Sequence, residues 1–364
     1  MQNNQYCIIM AGGAGTRLWP ISRNNCPKQF LKLDGEDRTF IRDTYDRFAK
    51  FIPKENIIIV SSAKYRDLVK EQIPEITDEN LLLEPYSRNT APCIAYATYT
   101  VLKRDPDAAM VVTPSDHIIT DEDKFAETVQ NALEYATANK VLMTIGVPPT
   151  RPDSNFGYIQ ITGGKEACNT DSAIKVKTFT EKPDKELAKV FVDSGEFFWN
   201  SGIFAWKAET IREEMEKYLP EVTRLFNGWE TAIGSPAESE FISRAYTDCL
   251  KISIDYGVME KTGIAWLYPA SFGWSDIGAW ESLQESMMTQ DTDKNTISAD
   301  RILSDGCRGD LIISKNKGKL IAVKGLENYM VIDTEDVLLI CPKEDKEFKD
   351  FIAGIAMPGY EKYR

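Results

Sequence analysis

YCIIMAGGAGTRLWPISRNNCPKQF, residues 6–30, decides the fold. Tyr6 to Ala11 form an unbroken apolar run, as expected of a strand buried on both faces. Gly12, Gly13 and Gly15 follow at once, so the chain turns tightly there and its backbone can approach a ligand. Successive N–H groups in such a turn point at anionic oxygens. Arg17 adds a fixed charge with several donors, and Lys28 in Pro27-Lys28-Gln29-Phe30 places a second cation on the same loop. Two familiar phosphate loops fail on inspection. A P-loop ends in Gly-Lys-Ser/Thr, and a dinucleotide fingerprint starting at Gly13 requires glycine where Leu18 stands.

On either side of this loop the chain alternates short apolar runs with helical stripes. Strands are predicted at Tyr6–Ala11, Ile57–Val60, Leu81–Leu83, Ala109–Thr113 and Val141–Ile145. Phe40, Ile41, Tyr45, Phe48 and Ile52 make one helical stripe; Phe125, Val129, Leu133 and Ala136 make another. Strands alternating with such helices predict a doubly wound, mostly parallel sheet covered on both faces. Ligands of these sheets bind beyond the carboxyl ends of the strands. After a polar stretch at 289–296 the pattern changes, with short runs starting at Leu311, Leu320, Tyr329 and Val337. That predicts a small all-β appendage, and a single cut gives domains 1–290 and 291–364.

The net charge of -13 argues against a nucleic-acid or anionic-membrane partner, which needs a basic face. The N-terminal apolar run is too short for a signal sequence, and no stretch reaches the roughly 20 apolar residues of a membrane span. Seven scattered cysteines without a CxxC pair suggest reduced thiols and a cytoplasmic location. A single histidine, His117, excludes a multi-histidine metal site or a Ser-His-Asp triad, and reads as a structural hydrogen-bonder.

Residues 11–30 resemble the signature of sugar-nucleotide pyrophosphorylases, and Trp19, Ser22 and Arg23 point to the mannose-1-phosphate guanylyltransferases. Further segments agree in order: Glu84–Pro92, Thr113–His117, Phe156–Tyr158, Phe179–Pro183, Trp199–Phe204 and Phe272–Trp280. The resemblance implies a nucleotide-diphospho-sugar transferase fold with a left-handed β-helix-like appendage used in a homodimer. It also implies a reaction: GTP and mannose 1-phosphate give GDP-mannose and pyrophosphate. Some relatives carry a C-terminal phosphomannose isomerase domain, which a chain with one histidine is expected to lack. The chemistry suits the residue types. A sugar phosphate is already a dianion, so catalysis must bring negative charges together and neutralise the departing pyrophosphate.

By resemblance, Arg17 and Lys28 hold the triphosphate, Gly12, Gly13, Asn89, Thr90 and Ala91 line the nucleotide, and Lys182 holds the sugar phosphate. Gly157, Tyr158, Glu181 and Asn200 resemble the sugar-contacting set, with the Tyr158 ring able to lie along the sugar. Asp116 and Asp276 resemble the carboxylates of one Mg2+, a cation that takes its remaining ligands from water and phosphates. Two bland readings stand beside these. Asp121-Glu-Asp123 reads as a helix cap on Thr120 with Asp123 in the first turn, not as a metal motif. Asn89–Pro92 also reads as a helix start with Thr90 as cap. Asp255, Glu260 and Lys261 match a family stretch without an evident role, and Gly257 replaces the alanine expected there. The alternatives are a pyrophosphorylase for another sugar or base, and a catalytically silent nucleotide-sugar sensor. Retention of Arg17, Lys28, Asp116, Lys182 and Asp276 together argues against silence.

Overall fold

The computed structural model describes residues 4–13, 18–32, 37–168, 172–278, 280–287, 289–343 and 347–364. The chain divides into two compact units, Met1–Gly13 with Ile41–Trp274, and Ala14–Phe40 with Ser275–Arg364. This division differs from a single cut at 290, because residues 14–40 join the C-terminal segment.

The first unit is built on a nine-stranded sheet. Its early strands are β1 (Gln5–Ala11), β2 (Ile57–Ser62), β3 (Leu81–Glu84) and β4 (Ala109–Pro114). The two-residue strand β5 (Ile118–Ile119) stands outside it. The sheet continues with β6 (Leu142–Val147), β7 (Gly157–Ile161), β8 (Ile174–Glu181), β9 (Phe197–Lys207) and β10 (Ala265–Pro269). The spatial order is β3-β2-β1-β4-β9-β6-β10-β8-β7. All five predicted strands are present, as β1, β2, β3, β4 and β6.

Alternate residues explain why their sequences are apolar throughout. Ile8, Ile58, Val60, Met110 and Val112 pack under the helix Thr90–Arg104. Their neighbours Ile9, Ile59 and Val111 point to the opposite face and are equally buried, so both faces are covered. Each such side chain contributes about 1.5–3 kcal/mol on burial.

The expectation of a mostly parallel sheet is corrected to a mixed one. β3, β2, β1 and β4 run parallel, as do β6 and β10. β9 lies antiparallel between β4 and β6, and β7 and β8 pair antiparallel with their neighbours. Periodicity reports which face a strand buries but not its direction.

Both predicted helix starts are real, with the cap displaced by one residue. Asp121, not Thr120, caps the helix Glu122–Asn139 by accepting from Lys124 N at 3.1 Å. The Thr120 hydroxyl instead donates to Phe272 O. Asn89, not Thr90, caps the helix Thr90–Arg104 by accepting from Thr90 N. The Thr90 hydroxyl is taken by Ile254 N.

In the second unit, the two-residue strand β11 (Trp274–Ser275) overlaps its start, and β12 (Thr296–Ser298), β13 (Arg301–Asp305), β14 (Leu311–Ser314), β15 (Leu320–Lys324), β16 (Tyr329–Asp333) and β17 (Leu338–Pro342) follow. Successive strands alternate between two ladders. β12, β14 and β16 form one parallel ladder, β13 and β15 the other, and β17 closes the first in antiparallel fashion. Ile312, Ile321 and Val331 bury the apolar faces of the two ladders against each other. The N-terminal piece is tied in by polar bonds that sequence order does not reveal. Trp19 Nε1 donates to Tyr363 O at 2.7 Å, and Arg23 pairs with Asp336 at 2.8 Å. Among the described residues no helix is long and apolar enough to cross a membrane.

Candidate functional site

Within the first unit, Gly12 at the end of β1 lies against a buried carboxylate, Glu84 at the end of β3. A Cβ built on Gly12 would lie 2.8 Å from Glu84 Oε2, so any larger residue there would displace the carboxylate. Tyr246, itself fully buried, donates to Glu84 Oε1 at 3.0 Å. Burial pushes the Glu84 carboxyl up to about 7, against the opposing effect of the Tyr246 bond. Arg88 holds the chain around Tyr246 by donating to the carbonyls of Tyr246 and Thr247. Gly13 is exposed next to Gly12. Asn89 adopts φ 69° to swing its side chain into the cap, and Ala91 N donates to Ile252 O at 3.1 Å. Asp116 lies two residues past the end of β4. Its neighbour His117 accepts through Nδ1 from Trp274 Nε1 at 3.1 Å, the structural bond expected of a lone histidine.

A second group forms where β7, β8 and β9 meet. A Cβ on Gly157 would sit 2.3 Å from Glu181 Oε2 and 3.3 Å from Asn200 Cβ, so Gly157, Glu181 and Asn200 share one small space. Glu181 Oε1 accepts from Lys182 Nζ, while Oε2 is buried without a partner. Lys182 takes a left-handed backbone (φ 48°) and its side chain is about half exposed. Asn200 Oδ1 accepts from Thr144 Oγ1 at 3.2 Å and Gly202 N at 3.1 Å. Its Nδ2 donates to Asp255 Oδ1 at 2.8 Å. The Asp255 carboxyl is pushed up to about 6, first by burial and then by the nearby Glu181 charge.

Tyr158 does not offer its ring to this space. It is fully buried, packs on Phe191 at 5.4 Å between ring centroids, and accepts from Asp153 N through its hydroxyl. The reason is strand alternation: with Gly157 facing Glu181, its successor must face the other side. The ring-stacking expectation is therefore corrected to a packing role.

In the second unit, Lys28 is buried in a short 3-10 turn, Lys28–Phe30, and donates through Nζ to the Asp276 carbonyl. Its ammonium also lies 5.3 Å from the Phe40 ring centroid. The Asp276 carboxylate accepts from Gly278 N at 2.9 Å. Lys28 and Asp276 thus come together within one unit. Arg17 lies outside the described residues.

Two of the residues that sequence reasoning left without roles, Glu84 and Asp255, gain partners in the structure. Glu84 was visible only as part of a motif; the signal for it was an acidic residue ending an otherwise apolar strand. Asp255 stood in a family-like stretch, but nothing local pointed to its partner Asn200, which is 55 residues away.

A nucleotidyl transferase family model matches residues 6–293. An Escherichia coli K12 protein named mannose-1-phosphate guanylyltransferase is 36% identical over 380 residues, covering 100% of this chain and 76% of that protein. A Salmonella typhimurium LT2 protein named mannose-1-phosphate guanylyltransferase RfbM is 37% identical over 345 residues, covering 93% and 69%. Among solved structures, a Thermus thermophilus protein titled mannose-1-phosphate geranyltransferase superposes with a TM-score of 0.84 at 28% identity, covering 97% of this chain and 100% of that one.

Proposed function

The chain belongs to the nucleotidyl transferase family, and from that premise we infer that it joins GTP and α-D-mannose 1-phosphate into GDP-mannose and pyrophosphate. The observation that carries the guanine half of this reading is Glu84, a buried carboxylate facing Gly12 at the carboxyl ends of β3 and β1. Guanine presents two adjacent donors, N1–H and the 2-amino group, and an ionised carboxylate accepts from both. Adenine presents an unprotonated N1 instead, which an ionised Glu84 repels. A buried acceptor left unpaired is costly, which gives the discrimination its size.

The sugar phosphate oxygen attacks the α-phosphorus in line with the departing pyrophosphate. It needs no general base, being a dianion already, so the protein's work is positioning and charge neutralisation. Arg17 and Lys28 are assigned to the triphosphate and Lys182 to the sugar phosphate. The backbone at Gly12, Gly13 and Asn89–Ala91 is assigned to the nucleotide. Gly157, Glu181 and Asn200 take the sugar, with Tyr158 contributing its backbone.

Mg2+ is assigned to Asp116 and Asp276 on the family pattern. The donor set suits it: both offer hard carboxylate oxygens, the ligand type Mg2+ takes. Mg2+ held by one or two carboxylates takes its remaining ligands from phosphate oxygens and water. Bound there, the ion supplies neutralisation of phosphate charge. Asn at either position is expected to raise the Mg2+ concentration needed for half-activity while the Tm stays within a few degrees. An unaltered requirement in both variants withdraws the assignment.

Three finer readings go with this function. The alternating parallel ladders of the second unit support the left-handed β-helix form. Exposed Leu303, Leu320, Leu338 and Ile340 on them support a homodimer. Seven free cysteines support a reducing, cytoplasmic setting, and the net charge of -13 speaks against nucleic-acid or anionic-membrane partners.

The test is pyrophosphate release over a matrix of GTP, ATP, UTP and dTTP against several sugar 1-phosphates. GTP with mannose 1-phosphate should give the highest kcat/KM. A preference of about tenfold or more for another pair, about 1.4 kcal/mol, overturns the specificity while leaving the reaction class intact.

A further inference from the structure

The stretch after Ile252 links the two groups just described. Ile252 O accepts from Ala91 N, and Ile254 N donates to Thr90 Oγ1 at 2.9 Å. One residue on, Asp255 opens a π-helical turn, Asp255–Met259, and reaches Asn200. Single π turns recur at functional sites because they re-aim side chains that a regular helix would point elsewhere. Gly257 in that turn is explained by packing: a Cβ there would come 2.6 Å from Leu219 Cδ1 in the buried core.

We propose that Asp255 is a positioning residue for sugar recognition: it locks the Asn200 amide so that the second Nδ2 hydrogen, together with Glu181 Oε2, receives one sugar hydroxyl. This rests on the reading of Asn200 and Glu181 as sugar contacts. The amide is held at three points. Two donors, Thr144 Oγ1 and Gly202 N, converge on Oδ1, and one acceptor, Asp255 Oδ1, takes a hydrogen from Nδ2. Among the described residues the other Nδ2 hydrogen has no partner, and Glu181 Oε2 is buried without one. Gly157 lies beside both residues: a Cβ there would meet Glu181 Oε2 at 2.3 Å and Asn200 Cβ at 3.3 Å, so only the missing side chain leaves room next to them. A hydroxyl both accepts and donates, so it can take the Asn200 hydrogen and give its own to Glu181.

The choice of an aspartate is informative. Placing a carboxylate near Glu181 is electrostatically unfavourable, and the Asn200 bond, the Asp255 backbone N–H and the Lys182 charge offset it in part. An asparagine would avoid that cost, but its amide could present either end to Asn200. An ionised carboxylate can only accept, so it fixes which way the Asn200 amide faces.

The experiment uses the full chain and four variants: Asp255→Ala, Asp255→Asn, Asn200→Ala, and the double Asp255→Ala/Asn200→Ala. KM for each substrate, kcat and Tm are measured for all. Asp255→Ala should raise KM for mannose 1-phosphate about tenfold, the size of one lost hydrogen bond, with KM for GTP within about twofold of the parent. Asp255→Asn, which still offers an oxygen, should recover most of that loss. The double variant should resemble Asn200→Ala alone, because Asp255 acts through Asn200. Equal rises in both KM values, or multiplicative losses in the double variant, overturn the proposal and make Asp255 a general structural residue. If Asn200→Ala leaves KM for mannose 1-phosphate unchanged, the sugar reading of Asn200 itself fails, and this proposal falls with it.

Discussion

Burial raises the pKa of Glu84 from 4.5 to about 7, so its charge changes within the ordinary working range of pH. If the ionised group reads guanine, binding of GTP strengthens as pH rises towards and past 7, and KM for GTP climbs as pH falls below it. Stability moves the other way. Between 4.5 and 7 the folded protein holds a proton that the unfolded chain has released, so raising pH through this window costs stability. The Glu84→Gln variant is isosteric and cannot titrate. Its Tm relative to the parent should therefore increase from pH 5 to pH 8, up to the equivalent of about 3 kcal/mol. Its kcat/KM for GTP at pH 8 should fall about 10- to 100-fold, as for loss of a bond to a charged group. A pH-independent Tm difference with unchanged GTP kinetics would remove Glu84 from base recognition and leave it a partner of Tyr246.

β9 is the element that separates what the sequence shows from what it hides. Its residues, FFWNSGIFAWK, read as apolar and strand-forming, yet nothing in them declares that the strand runs antiparallel between β4 and β6. Gly202 in its middle takes φ 71°, and the register against β6 shifts between Thr144 and Gly146. That irregularity brings Gly202 N to Asn200 Oδ1. Gly202→Ala meets only Pro114 Cγ at an ordinary 3.5 Å, so its cost is backbone strain alone. A left-handed alanine costs about 1–2 kcal/mol, and relaxation away from it would pull the amide hydrogen off Asn200. Tm should fall modestly while KM for mannose 1-phosphate rises. A lower Tm with unchanged KM would show that the bulge serves the strand and not the amide. The parallel strands β1, β2, β3, β4 and β6 were legible because burial on both faces makes them continuous apolar runs. Cap positions were legible only to within one residue, since neighbouring Thr120 and Asp121, or Asn89 and Thr90, are all competent caps and tertiary partners decide between them. The inward ring of Tyr158 was derivable in principle: placing Gly157 at the ligand already sends its neighbour to the core. The Asn200–Asp255 bond was not, because contacts across such sequence distances leave no local trace.

For the molecule as a whole, charge and apolar surface oppose each other. A net charge of -13 makes two copies repel, and the repulsion is long-ranged at low salt. The exposed apolar residues of the second unit supply the opposing attraction. Leu338 and Ile340 alternate along the edge strand β17, each more than half exposed. Leu303 and Leu320 are similarly exposed and share one face of the β13–β15 ladder, as the pairing of Arg301 with Leu320 and of Leu303 with Ala322 requires. A homodimer built on either pair should tighten with added salt, since screening weakens the repulsion and leaves apolar burial intact. Light scattering should then give twice 41.1 kDa at moderate salt, with some shift towards 41.1 kDa on dilution at low salt. Serine is the substitution to use, because it removes apolar area without adding charge. Leu338→Ser/Ile340→Ser and Leu303→Ser/Leu320→Ser should each leave the Tm of the chain nearly unchanged, as exposed substitutions usually do. The pair that lies in the contact should weaken the dimer by about tenfold or more, from roughly 0.8 kcal/mol per buried methylene lost on each copy. A monomer at all salt concentrations removes the homodimer. A dimer that survives both double variants and loosens with added salt places the contact on polar surface elsewhere.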